Sequence, residues 1–217
     1  MTNPFDFFDH IYCVNLDNRP DRWEDAKIEF DKISITDKVE RFSAVEAKPG
    51  WIGCLKSHIE ITKDAKKRGF KNFLVFEDDF LLKDNLEENL TKSLSQLTEL
   101  NLEWDLLYLG INPVHHMPYV SENLVKCNGG LTTHAYAMSE RLYDDIINID
   151  IENSRQVDVF YTDYVQKVRG KSYCVYPILA IQKDGYSDVN DEEVKYGDTH
   201  ANLDERFLQF TDRREWE

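Results

Sequence analysis

Five short runs, HIYCVNL (residues 10–16), NFLVF (72–76), WDLLYLG (104–110), THAYAMS (133–139) and SYCVYPI (172–178), are mostly apolar, aromatic or β-branched, and a sixth, VERFSAV (39–45), alternates as a strand does. Between them, apolar residues recur at helical spacing. Trp23, Ala26, Phe30 and Ile33 form one such set, Ile52, Leu55, Ile59 and Thr62 a second, and Leu86, Leu90, Leu94 and Leu97 a third. Turn chemistry punctuates the pattern: Pro20 suits a helix start, KPG breaks the chain at 48–50, and Gly69 suits a helix end. A helix-like ERLYDDIINI follows THAYAMS, a further helix is expected from about Arg155 to Val168, and a last one around residues 203–210. Strands alternating with helices predict an α/β fold with a mainly parallel central sheet flanked by helices. No repeat, low-complexity stretch or linker interrupts residues 1–217, so a single domain, whole or cut from a longer chain, is expected.

Composition narrows the partners. A net charge of −15 over 217 residues argues against a nucleic-acid duplex or an anionic membrane surface. No apolar stretch approaches the roughly 18 residues of a membrane span, and the acidic start MTNPFDFFDH does not read as a signal peptide. Cys13, Cys54, Cys127 and Cys174 form no C-x-x-C pair and read as free thiols, three in apolar contexts, so a reducing, cytoplasmic setting is expected.

The sharpest local feature is FLVFEDDF, in which an apolar strand runs directly into Glu77, Asp78 and Asp79. At about 5 Å and an effective dielectric near 20, each carboxylate pair repels by about 3 kcal/mol. Such a triplet either splays into water as an acidic loop capping the next helix or gathers around a cation. Open α/β sheets bind ligands beyond the carboxyl ends of their strands, where this triplet falls.

Six segments, in order, resemble glycosyltransferase family 25, which holds lipooligosaccharide and collagen galactosyltransferases. IYCVNLDNRPDRW is similar to the opening strand and basic turn of nucleotide-sugar enzymes. GCLKSHI resembles the family's G-C-x-x-S-H segment, and FLVFEDDF its strand with an acidic DXD-type motif. GGLTTHAYAMSERLYDDII, QVDVFYTD and YPILAIQKDGYSD resemble its later pieces. The resemblance covers about Ile11 to Asp188 and implies a GT-A-type fold. It further implies a nucleotide-sugar donor, usually a UDP-sugar, with Mn²⁺ or Mg²⁺ bridging its diphosphate to the DXD acids. Transfer to a glycan or protein-linked acceptor hydroxyl, with inversion, is the implied reaction.

Within that expectation, Asp79 is the direct metal ligand. Glu77 faces the ribose or a metal-bound water and joins the metal set, and Asp78 meets the sugar hydroxyls or a structural partner. First and third carboxylates share one side if the strand's pleat continues past Glu77. His200, in GDTH, is a further candidate ligand suited to Mn²⁺. Candidate donor contacts are the backbone of Val14, Asn15 and Leu16, the turn Ser43, Ala44 and Val45, and the side chains Arg19, Arg22, Lys56, Ser57 and His134. His58 is either a support of the donor pocket or a satisfied core histidine; His115 and His116 are acceptor-side or unremarkable. An inverting transfer needs a base for the acceptor hydroxyl. Asp158, at a helix start, is the first candidate, with Asp163 and then Asp188 as alternatives. Two other readings remain open: a non-catalytic nucleotide-sugar or glycan-binding domain, and a nucleotidyltransferase, against which VNLDNRPDR lacks a glycine-rich phosphate loop.

Overall fold

A computed structural model describes residues 3–189 and 192–195. The six strand-like runs become β1 (Ile11–Asn15), β2 (Val39–Ser43), β3 (Asn72–Glu77), β5 (Leu106–Pro113), β8 (Gly130–Ser139) and β9 (Ser172–Val175). Between and after them stand α1 (Pro20–Lys32), α2 (Gly50–Arg68), α3 (Leu86–Glu99), α4 (Tyr143–Ile147) and α5 (Val157–Phe160). Short strands β4 (Phe80–Leu82), β6 (Tyr119–Ser121), β7 (Leu124–Lys126), β10 (Ala180–Gln182), β11 (Gly185–Ser187) and β12 (Glu192–Val194) complete the order. Pro20 opens α1. Gly69, at φ 76°, closes α2 in the left-handed region that a side chain disfavours, behind Lys66, Lys67 and Arg68 in the last turn.

The main sheet has the order β2-β1-β3-β8-β5-β9-β7-β6. β1 pairs parallel with β2 and β3, and β5 pairs parallel with β9. β8 lies antiparallel between β3 and β5, so six of the eight strands share one direction and the sheet is mainly parallel, as expected. β4 and β10 form a separate antiparallel pair, as do β11 and β12.

Both faces are covered, which explains why the central strands are continuously apolar rather than alternating. Tyr12, Val14, Phe73 and Val75 pack with Leu55 and Ile59 of α2, Ile146 of α4 and Val157 of α5. Cys13, Leu74 and Phe76 point the other way, onto Phe30 of α1 and Leu90 and Leu94 of α3. All four cysteines are free, and Cys13, Cys127 and Cys174 are buried. Alkylation of native protein is therefore expected to be slow at Cys13 and Cys174; rapid labelling of either without unfolding would contradict their burial.

The expected helix from Arg155 departs in kind. After the single turn of α5, residues Tyr161–Arg169 continue as a π-helix. The wider turn seats Thr162 and Gln166 together on Gly130. Thr162 Oγ1 and Gln166 Nε2 donate to its carbonyl at 2.5 and 2.9 Å, and its N–H donates to Gln166 Oε1 at 2.9 Å. Propensity does not encode this; a tertiary contact does. The helix expected around 203–210 lies outside the described residues. Among the described residues no helix is long and apolar enough to cross a membrane.

Candidate active site

The register aligns the carboxyl ends of the first three strands, with Asn15 beside Ser43 and Val14 beside Glu77. A cavity of about 440 Å³ opens there. Its floor is Val14, Asn15 and Leu16, and one wall runs from Ala44 to Gly50, where α2 begins. Cys54, Ser57 and His58 from α2 and the triplet Glu77, Asp78 and Asp79 form the deep side, and Tyr186–Val189 form the far rim.

Two glycines make this wall possible. A Cβ on Gly50 would collide with the Asp188 carbonyl, and one on Gly53 with the Val45 carbonyl, lying also 3.1 Å from Ala47 N. Ser57 ties the same wall down: Val45 N donates to its Oγ at 2.8 Å, and Oγ donates to the Gly53 carbonyl at 2.8 Å. Gly53→Ala is thus expected to destabilise the protein by roughly 1–3 kcal/mol in urea unfolding, despite alanine's better helix propensity, because backbone must move. A stabilised variant would show that this wall is loose.

The acidic triplet does not continue the pleat. β3 ends at Glu77, and Asp78 and Asp79 form the turn into β4, so the expected same-side pairing of first and third carboxylates is replaced by three distinct environments. Glu77 Oε1 accepts from Thr133 Oγ1 at 2.5 Å and lies 3.3 Å from His58 Nε2. Burial pushes its carboxyl up, but the bond and charge of His58, with Thr133, bring it net below the ordinary value. Asp78 is clamped: Asn15 Nδ2 donates at 2.6 Å and Arg22 Nη1 at 3.0 Å. Burial still raises its carboxyl. On Asp79, Arg22 acts through its charge. The Asp79 Oδ1 is buried without a hydrogen-bond partner among the described residues, and burial, with the charges of Glu77 and Asp78, pushes its carboxyl up to about 7. Its backbone is fixed, because Lys183 N donates to its carbonyl at 2.6 Å.

The far rim is pinned by ion pairs. Arg19 Nη1 holds Asp188 at 2.7 Å, Arg22 reaches the same carboxylate at 3.6 Å, and Arg22 Nη2 donates to the Tyr186 carbonyl. Arg19 and Arg22, expected as phosphate or base contacts, thus have acidic partners already; only Arg22 lines the cavity.

His58 is buried, with Nδ1 2.7 Å from Tyr136 Oη, which lies 3.1 Å from Tyr161 Oη. Both of its expected roles apply, since it is a satisfied buried histidine that also lines the cavity. Asp158 sits at the start of α5, close enough to Glu77 and Cys54 for their charges to interact. Its Oδ2 accepts from Thr132 N at 3.3 Å, where Thr132 holds an unfavourable φ of 79°. Burial raises its carboxyl above the ordinary range, against the backbone N–H groups of Thr132 and Val159.

Six expected site residues do not line the cavity: Arg19 and Asp158, placed above, and Asp163, His134, Lys56 and Ser43. Asp163 is exposed and paired with Lys167 at 2.9 Å, one turn further on the helix, away from the cavity lining. His134 is a buried strut, with Nε2 3.1 Å from the Ala180 carbonyl and Nδ1 3.1 Å from Thr132 Oγ1. Lys56, half-buried on α2, is not among the cavity-lining residues, and the Ser43 hydroxyl donates to Asp17 at 2.8 Å. His200 lies outside the described residues. The sequence analysis in turn left out Cys54, the 46–50 wall and, beside Asp188, the rim residues Tyr186, Ser187 and Val189. The i,i+4 spacing of Cys54 and His58 was a usable signal for the first.

This arrangement of a mainly parallel sheet with an acidic cavity at the strand ends defines a GT-A-like glycosyltransferase fold. A glycosyltransferase involved in glycosylation of the major capsid of PBCV-1 superposes with a TM-score of 0.51 at 13% identity, over 89% of this chain and 98% of that one. The chain is related to glycosyltransferase family 25: residues 49–148 match the family model "Glycosyltransferase family 25 (LPS biosynthesis protein)". Procollagen galactosyltransferase 2 of Mus musculus is 27% identical over 164 residues, 61% of this chain and 26% of that protein. Inactive glycosyltransferase 25 family member 3 of Mus musculus is likewise 27% identical over 162 residues, 61% of this chain and 27% of that protein. The chain therefore spans about a quarter of the length of the curated relatives it matches.

Proposed function

We propose that this chain binds a nucleotide diphosphate sugar, in the first instance a UDP-sugar, in the cavity beyond β1, β2 and β3. It transfers the sugar, with inversion, to a glycan or protein-linked hydroxyl. The observation that carries the reading is Asp79, a half-buried residue whose Oδ1 is buried and unpartnered among the described residues, in a cavity shared with Glu77 and Asp78. Hard carboxylate donors fit Mn²⁺ or Mg²⁺, which would be held by Asp79 with Glu77 beside it and would neutralise the diphosphate charge. The remaining roles belong to the chain itself. Val14 to Leu16 and the Ala44–Val45 turn present backbone edges to the base. Arg22 and Asn15 hold Asp78 rigid toward the sugar hydroxyls. Asp158, with its raised carboxyl, accepts the acceptor's proton, since a base whose pKa lies nearer neutrality is better matched to that task. The reducing, cytoplasmic setting is part of the same proposal and is supported by the free, buried thiols.

The test is a set of melting curves with UDP alone, Mn²⁺ alone and both. Ligand at a hundred times its dissociation constant adds about 2.7 kcal/mol. The joint shift is expected to exceed the sum of the separate ones, because the diphosphate completes the metal's coordination; a merely additive shift rules bridging out. A second reading, nucleotide-sugar binding without turnover, is favoured by the relatives whose names call them inactive. Mn²⁺-dependent donor hydrolysis separates the two.

A further inference from the structure

Cys54 and His58 lie one turn apart on α2, and both face Glu77 at the end of β3. One ligand atom from each, Sγ, a ring nitrogen and a carboxylate oxygen, all fall within 4.8 Å of one another. We propose that Cys54, His58 and Glu77 form a three-ligand site for a thiophilic divalent ion of the zinc class, which shares the Glu77 carboxylate with the hard site centred on Asp79 and differs from it in its sulfur and nitrogen donors.

Three features carry the assignment. The donor set is one sulfur, one imidazole nitrogen and one carboxylate oxygen, which suits zinc or cobalt and not magnesium or calcium. The separations are near those needed: tetrahedral zinc places its ligand atoms about 3.3–3.8 Å apart, His58 Nε2 and Glu77 Oε1 already lie 3.3 Å apart, and the Cys54 sulfur, within 4.8 Å, is the atom that must approach. The supporting contacts are also present. Tyr136 Oη sits 2.7 Å from His58 Nδ1, and Thr133 Oγ1 donates to Glu77 Oε1 at 2.5 Å, so both the ring and the carboxylate are oriented from behind. Protons balance simply. The Cys54 thiol proton leaves to solvent, and Nε2 binds as a neutral imidazole. Nδ1–H then donates to Tyr136 Oη, which in turn donates to Tyr161 Oη. The three side chains line the cavity, so the fourth position opens toward it. The site rests on these ligand atoms and not on nucleotide chemistry.

The experiment titrates chelator-treated protein with Co²⁺ in the absence of any nucleotide. Thiolate-to-cobalt charge-transfer absorption, with intense visible bands of tetrahedral cobalt, is expected to saturate at one equivalent and to vanish on adding Zn²⁺. Cys54→Ser is expected to lose the charge-transfer band, while Asp79→Asn keeps it. X-ray absorption of the zinc-loaded wild type supplies a reading that needs no variant: one sulfur among nitrogen and oxygen neighbours is expected. A zinc shell without sulfur, absence of the cobalt band, or a band that survives Cys54→Ser overturns the site. Loss of the UDP–Mn²⁺ cooperation described above would leave this outcome unchanged, so the two proposals fail separately.

Discussion

Asp158→Asn is expected to lower sugar transfer at saturating donor by about 10²- to 10⁴-fold, the range for losing a general base, while UDP and Mn²⁺ bind nearly as well as to the wild type. The substitution keeps size and one acceptor oxygen, so the Thr132 N–H retains a partner and the α5 start keeps its shape. It removes only the capacity to take a proton. Asp158 lies near Glu77 and Cys54 but is not among the residues that line the cavity floor, so donor affinity by calorimetry is the internal control. A variant that keeps most of its rate shifts the role to Asp188, since Asp163 faces solvent. One that loses donor binding as well makes Asp158 part of the donor site.

Asp79→Asn is expected to have the opposite signature: it abolishes the joint effect of UDP and Mn²⁺ yet stabilises the metal-free protein at neutral pH. Asp79's carboxyl is raised from 3.8 to about 7, so the folded state holds this proton more tightly than the unfolded chain does. The stability it contributes is complete below the unfolded value. That stability is lost as pH rises through about 7, a difference on the order of 4 kcal/mol. Asparagine does not ionise and keeps its stability through that window. Urea unfolding of both proteins at pH 5 and pH 8, without metal, reads the difference. Equal pH slopes would remove Asp79 as the uncompensated charge, and with it the reason to place a cation there.

Much of this was legible in the residues. Continuous apolar runs and the 86-90-94-97 leucines gave strands and helix correctly, because burial on both sheet faces leaves a direct imprint on composition. The acidic triplet at a strand end was legible for the same reason: charge so close to an apolar run is costly unless something gathers it. What could not be read is set by long-range contact. The far rim at Tyr186–Val189 reaches the cavity only because Arg19 and Arg22, more than 160 residues earlier, hold Asp188 and the Tyr186 carbonyl. His134 sits beside Thr132 near the triplet but turns onto the Ala180 carbonyl, since the glycine at 110 leaves room for its ring. The turn at Asp78–Asp79 depends on β4 pairing with β10, a partner a hundred residues away.

The position of β8 bears on how the chain is made. β3 receives β1 on one edge early, but its other edge is closed by residues 135–139 of β8, some sixty residues later in the order of synthesis. Until the ribosome has delivered them, the row from Asn72 to Phe76 presents unpaired backbone donors and acceptors flanked by apolar side chains. A nascent chain stalled after β3 has left the ribosome but before β8 has done so therefore carries a sticky strand edge, for which another nascent chain is the nearest match. Slow codons that hold it there would be expected to turn soluble yield into aggregate, whereas a pause late enough for β8 to have emerged would not.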